Sequence, residues 1–163
     1  MRILDERVER YLQDLRPERS EVTVEMEAVA ARDSVPIVHW ETGRMLATLC
    51  RALDPAVLEV GTAIGYSTLH MAEALDRGRV VTLERDQDRA EQARGYFEWA
   101  GVADRVDNLL MDREVALPED AETTWSRDSL ATARRVNADL LRSERWLGCV
   151  LPVGDGVGLA ARR

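Results

Sequence analysis

The chain contains no lysine. All 22 of its basic residues are arginine, set against 30 acidic residues, and the formal net charge is −8. A lysine general base, a Schiff base and a Walker-type phosphate clamp are therefore excluded. The negative balance argues against a nucleic-acid partner, whose phosphates call for a basic patch. Only two cysteines occur, Cys50 and Cys149, each in apolar surroundings and without a Cys-x-x-Cys mate. A reduced, cytoplasmic protein is expected. No apolar run approaches the ~20 residues of a membrane span, so no membrane partner is expected. The opening MRILDERVERYLQDL is charged throughout and reads as no secretory signal. There are two histidines, His39 and His70, and no Ser-His-Asp order or metal-ligating cluster.

What is present suits one domain with a real core: 163 residues, 45% hydrophobic and 32% charged. Residues 1–53 read as a helical cover. Ile3, Leu4, Val8, Tyr11, Leu12 and Leu15 recur at helical spacing up to Pro17. A second helix is expected from about Glu18 to Arg32, with Val22, Met26, Val29 and Ala30 on one face. Pro36 breaks it. A third is expected from about Glu41 to Leu53, with Met45, Leu46, Leu49 and Cys50 inward, stopped by Asp54-Pro55.

The rhythm then changes. Val57 to Val60, Arg79 to Glu84, and about Val106 to Met111 are short apolar runs. Helical patterns at Tyr66–Leu75 and Gln87–Ala100 separate them, the second ending at Gly101. Strand and helix alternating over 56–112 predict a parallel α/β sheet with strand order 3-2-1. Over 126–163, Ser126 reads as an N-cap and Leu130 to Arg142 as a helix. Two apolar runs around Gly154-Asp155-Gly156 then form an antiparallel hairpin, expected to complete the far edge of the sheet. The predicted fold class is α/β: a Rossmann-like parallel sheet with a helical N-terminal cover and a C-terminal antiparallel β-hairpin.

The turn after the first strand carries the ligand question. Gly61-Thr62-Ala63-Ile64-Gly65 is G-x-x-x-G, with alanine where a dinucleotide fingerprint has its middle glycine. Close approach of a pyrophosphate is not provided, which speaks against an NAD-dependent enzyme. Glu59, Glu84 and Asp112 end the three strands and form one acidic rim in the crevice where such sheets bind ligands. Glu84, 23 residues after Gly61, is in range of two ribose hydroxyls. An acidic rim repels phosphates and suits a nucleoside bearing an amine and a sulfonium, which describes S-adenosylmethionine.

VLEVGTAIGYSTLHMAEAL, GRVVTLERD, AGVADRV and LPVGDGVGLAARR, with VPIVHWETGRML upstream, resemble the S-adenosylmethionine-dependent O-methyltransferases of the catechol and caffeoyl-CoA type. The likeness covers Val35 to Asp112 and Ser126 onward. It implies that Val38 packs near the cofactor and that Gly61, Thr62 and Ala63 present backbone to its methionine part. Ser67 would hold the carboxylate at a helix N-terminus. Glu59 would sit under the amino end, Glu84 would take the ribose hydroxyls, and Asp112 would lie near the adenine amino group. The implied activity is methyl transfer to a hydroxyl of a small-molecule acceptor, by a homodimer. The alternative is a catalytically impaired or non-catalytic S-adenosylmethionine-binding or interaction protein.

The resemblance fails after Asp112. The family continues with a strand ending in Asp-Ala-x-Lys, then a Pro-Gly-Gly turn and a strand ending in Asp-Asn. These residues hold a divalent cation and supply a lysine. Here the chain passes from LPEDAE to TTWSRDS, and two βα units, on the order of fifty to sixty residues, are missing. A Mg²⁺-like cation is expected only if that segment exists. Either the chain omits a segment of a longer protein or it is a shortened variant. Removing the centre of a parallel sheet should cost more than a typical net stability of ~5–15 kcal/mol, which favours omission. No catalytic base and no metal ligand is assigned. His39 reads as a loop histidine, His70 as packed, Glu91 and Glu98 as solvated, and Trp40, Trp99, Trp125 and Trp146 as packing.

Overall fold

In the computed structural model, residues 6–110, 135, 138, 141–142, 144–151 and 157–162 are described. Helix α1 spans Glu6–Asp14, α2 Glu21–Asp33 and α3 Trp40–Leu53. The sheet region follows as β1 Ala56–Val60, α4 Tyr66–Ala74, β2 Arg79–Glu84, α5 Gln87–Trp99, a 3₁₀ turn Ala103–Arg105 and β3 Val106–Leu110. Strands β4, Trp146–Leu151, and β5, Val157–Arg162, come last.

β1, β2 and β3 form a parallel sheet in that order, as expected. Val57 pairs with Val80, and Val80 with Val106. Both crossovers run in one direction, and right-handed crossovers then place α4 and α5 on the same face. β4 and β5 pair antiparallel with each other, Cys149 opposite Leu159, as a separate two-stranded sheet. The hairpin is thus present, but among the described residues it does not extend the edge at β1. The Gly154-Asp155-Gly156 turn, Ser126, Trp125 and most of the Leu130–Arg142 helix lie outside the described residues. Residues 135, 138, 141 and 142 are helical.

Helix ends follow local chemistry. The second helix begins at Glu21 rather than Glu18, because the Ser20 hydroxyl accepts from the Thr23 amide at 3.3 Å and caps the first turn. Its predicted face, Val22, Met26, Val29 and Ala30, is buried. In α3 the inward face differs from expectation. Thr42, Gly43, Ala47 and Cys50 are buried, while Met45, Leu46 and Leu49 are only half-buried. α3 packs tightly on α4, and a Cβ at Gly43 would stand 2.8 Å from His70 Nε2, so small residues occupy the contact. In α1, Val8, Tyr11 and Leu15 are exposed rather than packed.

The core joins α2, α3, α4, β2 and α5 through Met26, Ala47, Leu69, Val80, Ala93 and Phe97. At the amino end of the sheet Asp54 ties the end of α3 to the turn before β2. Its carboxylate accepts from the amides of Asp76, Arg77 and Gly78 at 2.9–3.1 Å. The Gly78 amide foremost, with the other two, holds the Asp54 carboxyl down at about 2.

Candidate functional site

The carboxyl ends of β1 and β2 converge on the glycine turn. Gly61 has φ +94°, Ala63 +48° and Gly65 +89°, so the turn uses the left-handed region three times in five residues. At Gly65 a Cβ would lie 2.6 Å from the Phe97 ring, which fixes the turn against α5. At Gly61 a Cβ would meet nothing within 4 Å, so space lies open above the turn. The Gly61 and Thr62 amides both donate to the Leu83 carbonyl, at 2.8 and 3.2 Å, tying the turn to β2.

Two carboxylates are gathered here, and each already has three donors. Glu84 is 7% exposed. Its Oε2 accepts from the Ala63 amide at 2.7 Å, and Oε1 accepts from the Arg85 and Asp86 amides at 2.9 and 3.0 Å. Glu59 accepts from the Ser67 hydroxyl at 2.6 Å, from Thr82 at 2.7 Å and from Thr68. The single Thr82 proton goes to Glu59, so in the 2.7 Å Thr62–Thr82 contact Thr62 is the donor. Glu59 therefore braces β1, β2 and α4 from inside. A carboxylate offers about four acceptor positions, so each acid retains roughly one for a ligand.

Glu59, Gly61, Thr62, Ala63, Ser67 and Glu84 are thus brought together at one edge. Val38 is half-buried and packs on the core beside the start of α3. Asp112 lies outside the described residues. His39 is exposed at the N-cap of α3 and makes no side-chain cap bond there. His70 is packed, its ring 4.9 Å from that of Tyr66 and edge-on. Burial first, then Arg44, lowers the His70 pKa from 6.5. Glu91 and Glu98 are exposed as read. Trp99 is 53% exposed and stacks on Tyr96, so it is less a packing residue than expected. Trp40 is half-buried, with the guanidinium carbons of Arg16 and Arg44 5.3 and 5.7 Å from its ring centroid.

Sequence reasoning missed the hydroxyl set around Glu59. The one signal was Thr82, a polar residue in phase with Glu84 within an apolar strand. It also missed the Tyr66 hydroxyl, which donates to Glu27 at 2.6 Å and joins the N-terminal helices to the glycine turn. Glu27 in turn pairs with Arg19. Desolvation, with Glu27, raises the Tyr66 pKa well above its ordinary value. Among the described residues no group of three His, Cys, Asp or Glu side chains is placed to hold a metal ion.

Comparison with known proteins agrees with this geometry. A catechol O-methyltransferase B of Danio rerio is 44% identical over 124 residues, covering 73% of this chain and 44% of that protein. The chain spans 40–48% of the length of three catechol O-methyltransferase relatives. A crystal structure of a Geobacter sulfurreducens methyltransferase superposes with a TM-score of 0.75 at 28% identity, across 99% of this chain and 100% of that one. The fold is shared with a Bacillus cereus O-methyltransferase solved with SAH, at TM-score 0.75 and 23% identity, over 96% and 97% of the two chains. A family model described as O-methyltransferase matches residues 8–119, most of the chain, and with the parallel sheet and glycine turn in place the chain belongs to that O-methyltransferase family.

Proposed function

We propose that the protein binds S-adenosylmethionine at the glycine turn and serves methyl transfer to a hydroxyl of a small-molecule acceptor. The observation that carries this reading is the buried Glu84 carboxylate clamped to the Ala63 amide of the turn. It holds an acceptor at the end of β2, where a ribose diol would donate, beside the open space above Gly61. Bound there, the cofactor supplies an electrophilic methyl group on sulfonium.

The residues of this chain do the holding. Glu84 accepts ribose hydroxyls at its remaining position and shares or releases the Ala63 amide to take the second. Glu59 keeps one position for an ammonium group. Ser67 must turn its proton away from Glu59 if it is to donate to a carboxylate, and the α4 N-terminus favours an anion there. Val38 gives an apolar wall. Their shared contribution is orientation of the methyl toward the acceptor oxygen. Asp112 near the adenine remains part of the proposal, as do a homodimer, for which exposed Val8, Tyr11 and Leu15 of α1 offer an apolar surface, and a cytoplasmic setting. The described residues provide no metal cluster, so no step is routed through a cation.

Calorimetry tests the reading. S-adenosylhomocysteine should bind in the micromolar range, and Glu84→Ala should weaken it at least tenfold, ~1.4 kcal/mol or more. Transfer of labelled methyl to a catechol panel, with Mg²⁺ and with chelator, then tests turnover. Absence of heat with S-adenosylmethionine and its product, together with binding of NAD, would overturn the assignment.

A further inference from the structure

Thr82 is completely buried in β2, where a valine of the same shape would bring no polar atom to satisfy. Strand register sets it directly beside Glu59 of β1. Its hydroxyl donates to Glu59 Oε2 at 2.7 Å and accepts from the Thr62 hydroxyl at 2.7 Å. Thr62, in the glycine turn, is buried as well. Each hydroxyl has one proton, so the chain of bonds runs one way, from Thr62 through Thr82 to Glu59. Thr82 also precedes Glu84 by two residues, on the same buried side of β2.

The two oxygens of Glu59 are held differently. Oε2 accepts from Thr82 of β2 and from Thr68 of α4, and both threonines are completely buried. These two donors fill both of its acceptor positions. Among the described residues Oε1 accepts from Ser67 alone, and Ser67 and Glu59 are each half-buried. The remaining acceptor position therefore belongs to Oε1, on the side of Ser67 at the start of α4. Donors from two different elements pin Oε2. The carboxylate cannot turn out of its plane without stranding a buried hydroxyl, which is costly.

We propose, resting on the reading of the glycine turn as an S-adenosylmethionine site, that Thr82 is a positioning residue which holds Glu59 Oε1 toward the ammonium group of the cofactor. Thr82 touches no ligand and acts through Glu59. A charge-assisted bond from an ammonium group is strong when its acceptor oxygen is already in place. A carboxylate fixed beforehand also loses no rotamer freedom on binding. Without the Thr82 hydroxyl, Oε2 regains a free acceptor position and the proton of Thr62 loses its acceptor. The carboxylate can then turn, and the amine loses its fixed partner. Glu84 is untouched by that change, so the nucleoside is still held. One strand thus serves both ends of the ligand, with Glu84 for the ribose and Thr82 behind the acid for the amine.

The test is calorimetry of the 163-residue chain with S-adenosylhomocysteine and with its desamino analogue, which keeps the nucleoside and the carboxylate and lacks the amino group. The parent should prefer the amine about tenfold or more. Thr82→Val should cut that preference to about threefold or less, by weakening S-adenosylhomocysteine and leaving the desamino analogue within about twofold. Thr82→Ser keeps the hydroxyl and should restore the preference. A purely structural role for Thr82 would weaken both ligands alike and leave their ratio unmoved. Thr68→Val removes the other donor to Oε2 from α4, should narrow the preference in the same way, and decides the matter where Thr82→Val does not fold. A parent-like ratio in a folded Thr82→Val chain, or a Thr82→Ser chain as deficient as Thr82→Val, would overturn the positioning role. So would equal affinity of the parent for the two ligands. No binding of either ligand by the parent would overturn the cofactor reading itself, and the positioning role with it.

Discussion

On one face of the parallel sheet Val80 and Thr82 are completely buried beneath α4 and α5. On the other, Leu58 and Val60 of β1 are 69% and 73% exposed, and Leu109 of β3 is 49% exposed. Register puts Leu58 beside Val81, Val60 beside Leu83 and Leu83 beside Leu109, so these five apolar residues form one continuous patch. The contrast follows from topology. Two right-handed crossovers moving in one direction cover only the face they lie on. A doubly wound sheet covers its second face with units that leave β1 in the opposite direction. The described residues therefore make up one half of such a fold, covered on one face and bare on the other.

The largest effect should come from the covered face. Phe97 is 2% exposed and fills the space against Gly65. Phe97→Ala should cost ~3–5 kcal/mol, read by chemical denaturation. Gly65→Ala should also unfold or misplace the turn, because its Cβ has no room and its φ is +89°. A loss under 1 kcal/mol for Phe97→Ala would show that the α5 side is not the packed side.

Next in size is the brace under the turn. Glu59→Ala leaves three hydroxyls, those of Ser67, Thr68 and Thr82, without their common acceptor. Charged hydrogen bonds and stranded buried donors together imply ~2–3 kcal/mol. Glu59→Gln should lose less, since its carbonyl still accepts. Equal losses in both would mean that packing, not hydrogen bonding, is the role of Glu59.

Much of this was legible in the sequence. Strands buried on at least one face in a parallel sheet read as apolar runs, so β2 was placed residue for residue and Glu84 at its end. Glu59 and Glu84 were placed at the ends of β1 and β2 from the same runs. The inward face of α3 was not, because helix contact at Gly43 selects small residues where hydrophobicity predicts large ones. The periodicity of α1 was real in sequence, yet Val8, Tyr11 and Leu15 lie open, since amphipathicity names a face and not its partner. The Glu59 cluster was illegible for another reason: it joins residues 8, 9 and 23 positions apart, and no local pattern records that convergence.

A smaller effect on the covered side should appear in acid. The folded His70 pKa is depressed below 6.5, chiefly by burial and then by Arg44, with Glu27 opposing. The unfolded chain therefore takes up the proton more readily. Stability is full above about pH 6.5 and falls as the pH drops toward the folded value. His70→Gln should flatten thermal stability between pH 6.5 and 5 relative to the parent. A parent curve already flat in that window would show that the imidazole is solvated.

The smallest stability change should come from the bare face, and there the comparison is sharpest. Leu58 and Val60 bury little, so Leu58→Thr together with Val60→Thr removes little buried apolar area, and both threonines keep β-branched strand propensity. Unfolding free energy should move by about 0.5 kcal/mol or less, as at ordinary surface positions. Association should respond instead. A contiguous apolar patch on an edge strand whose second edge has no ladder partner among the described residues invites self-association. The double variant should therefore shift sedimentation toward smaller species at unchanged S-adenosylhomocysteine affinity. Thr62 and Thr82, equally small but on the opposite side, serve as the control. Thr82→Val should leave association unchanged and reduce stability, because it removes a buried donor to Glu59. If Leu58→Thr with Val60→Thr instead destabilises the protein by 2 kcal/mol or more, the patch is covered in solution and the asymmetry between the two faces does not hold.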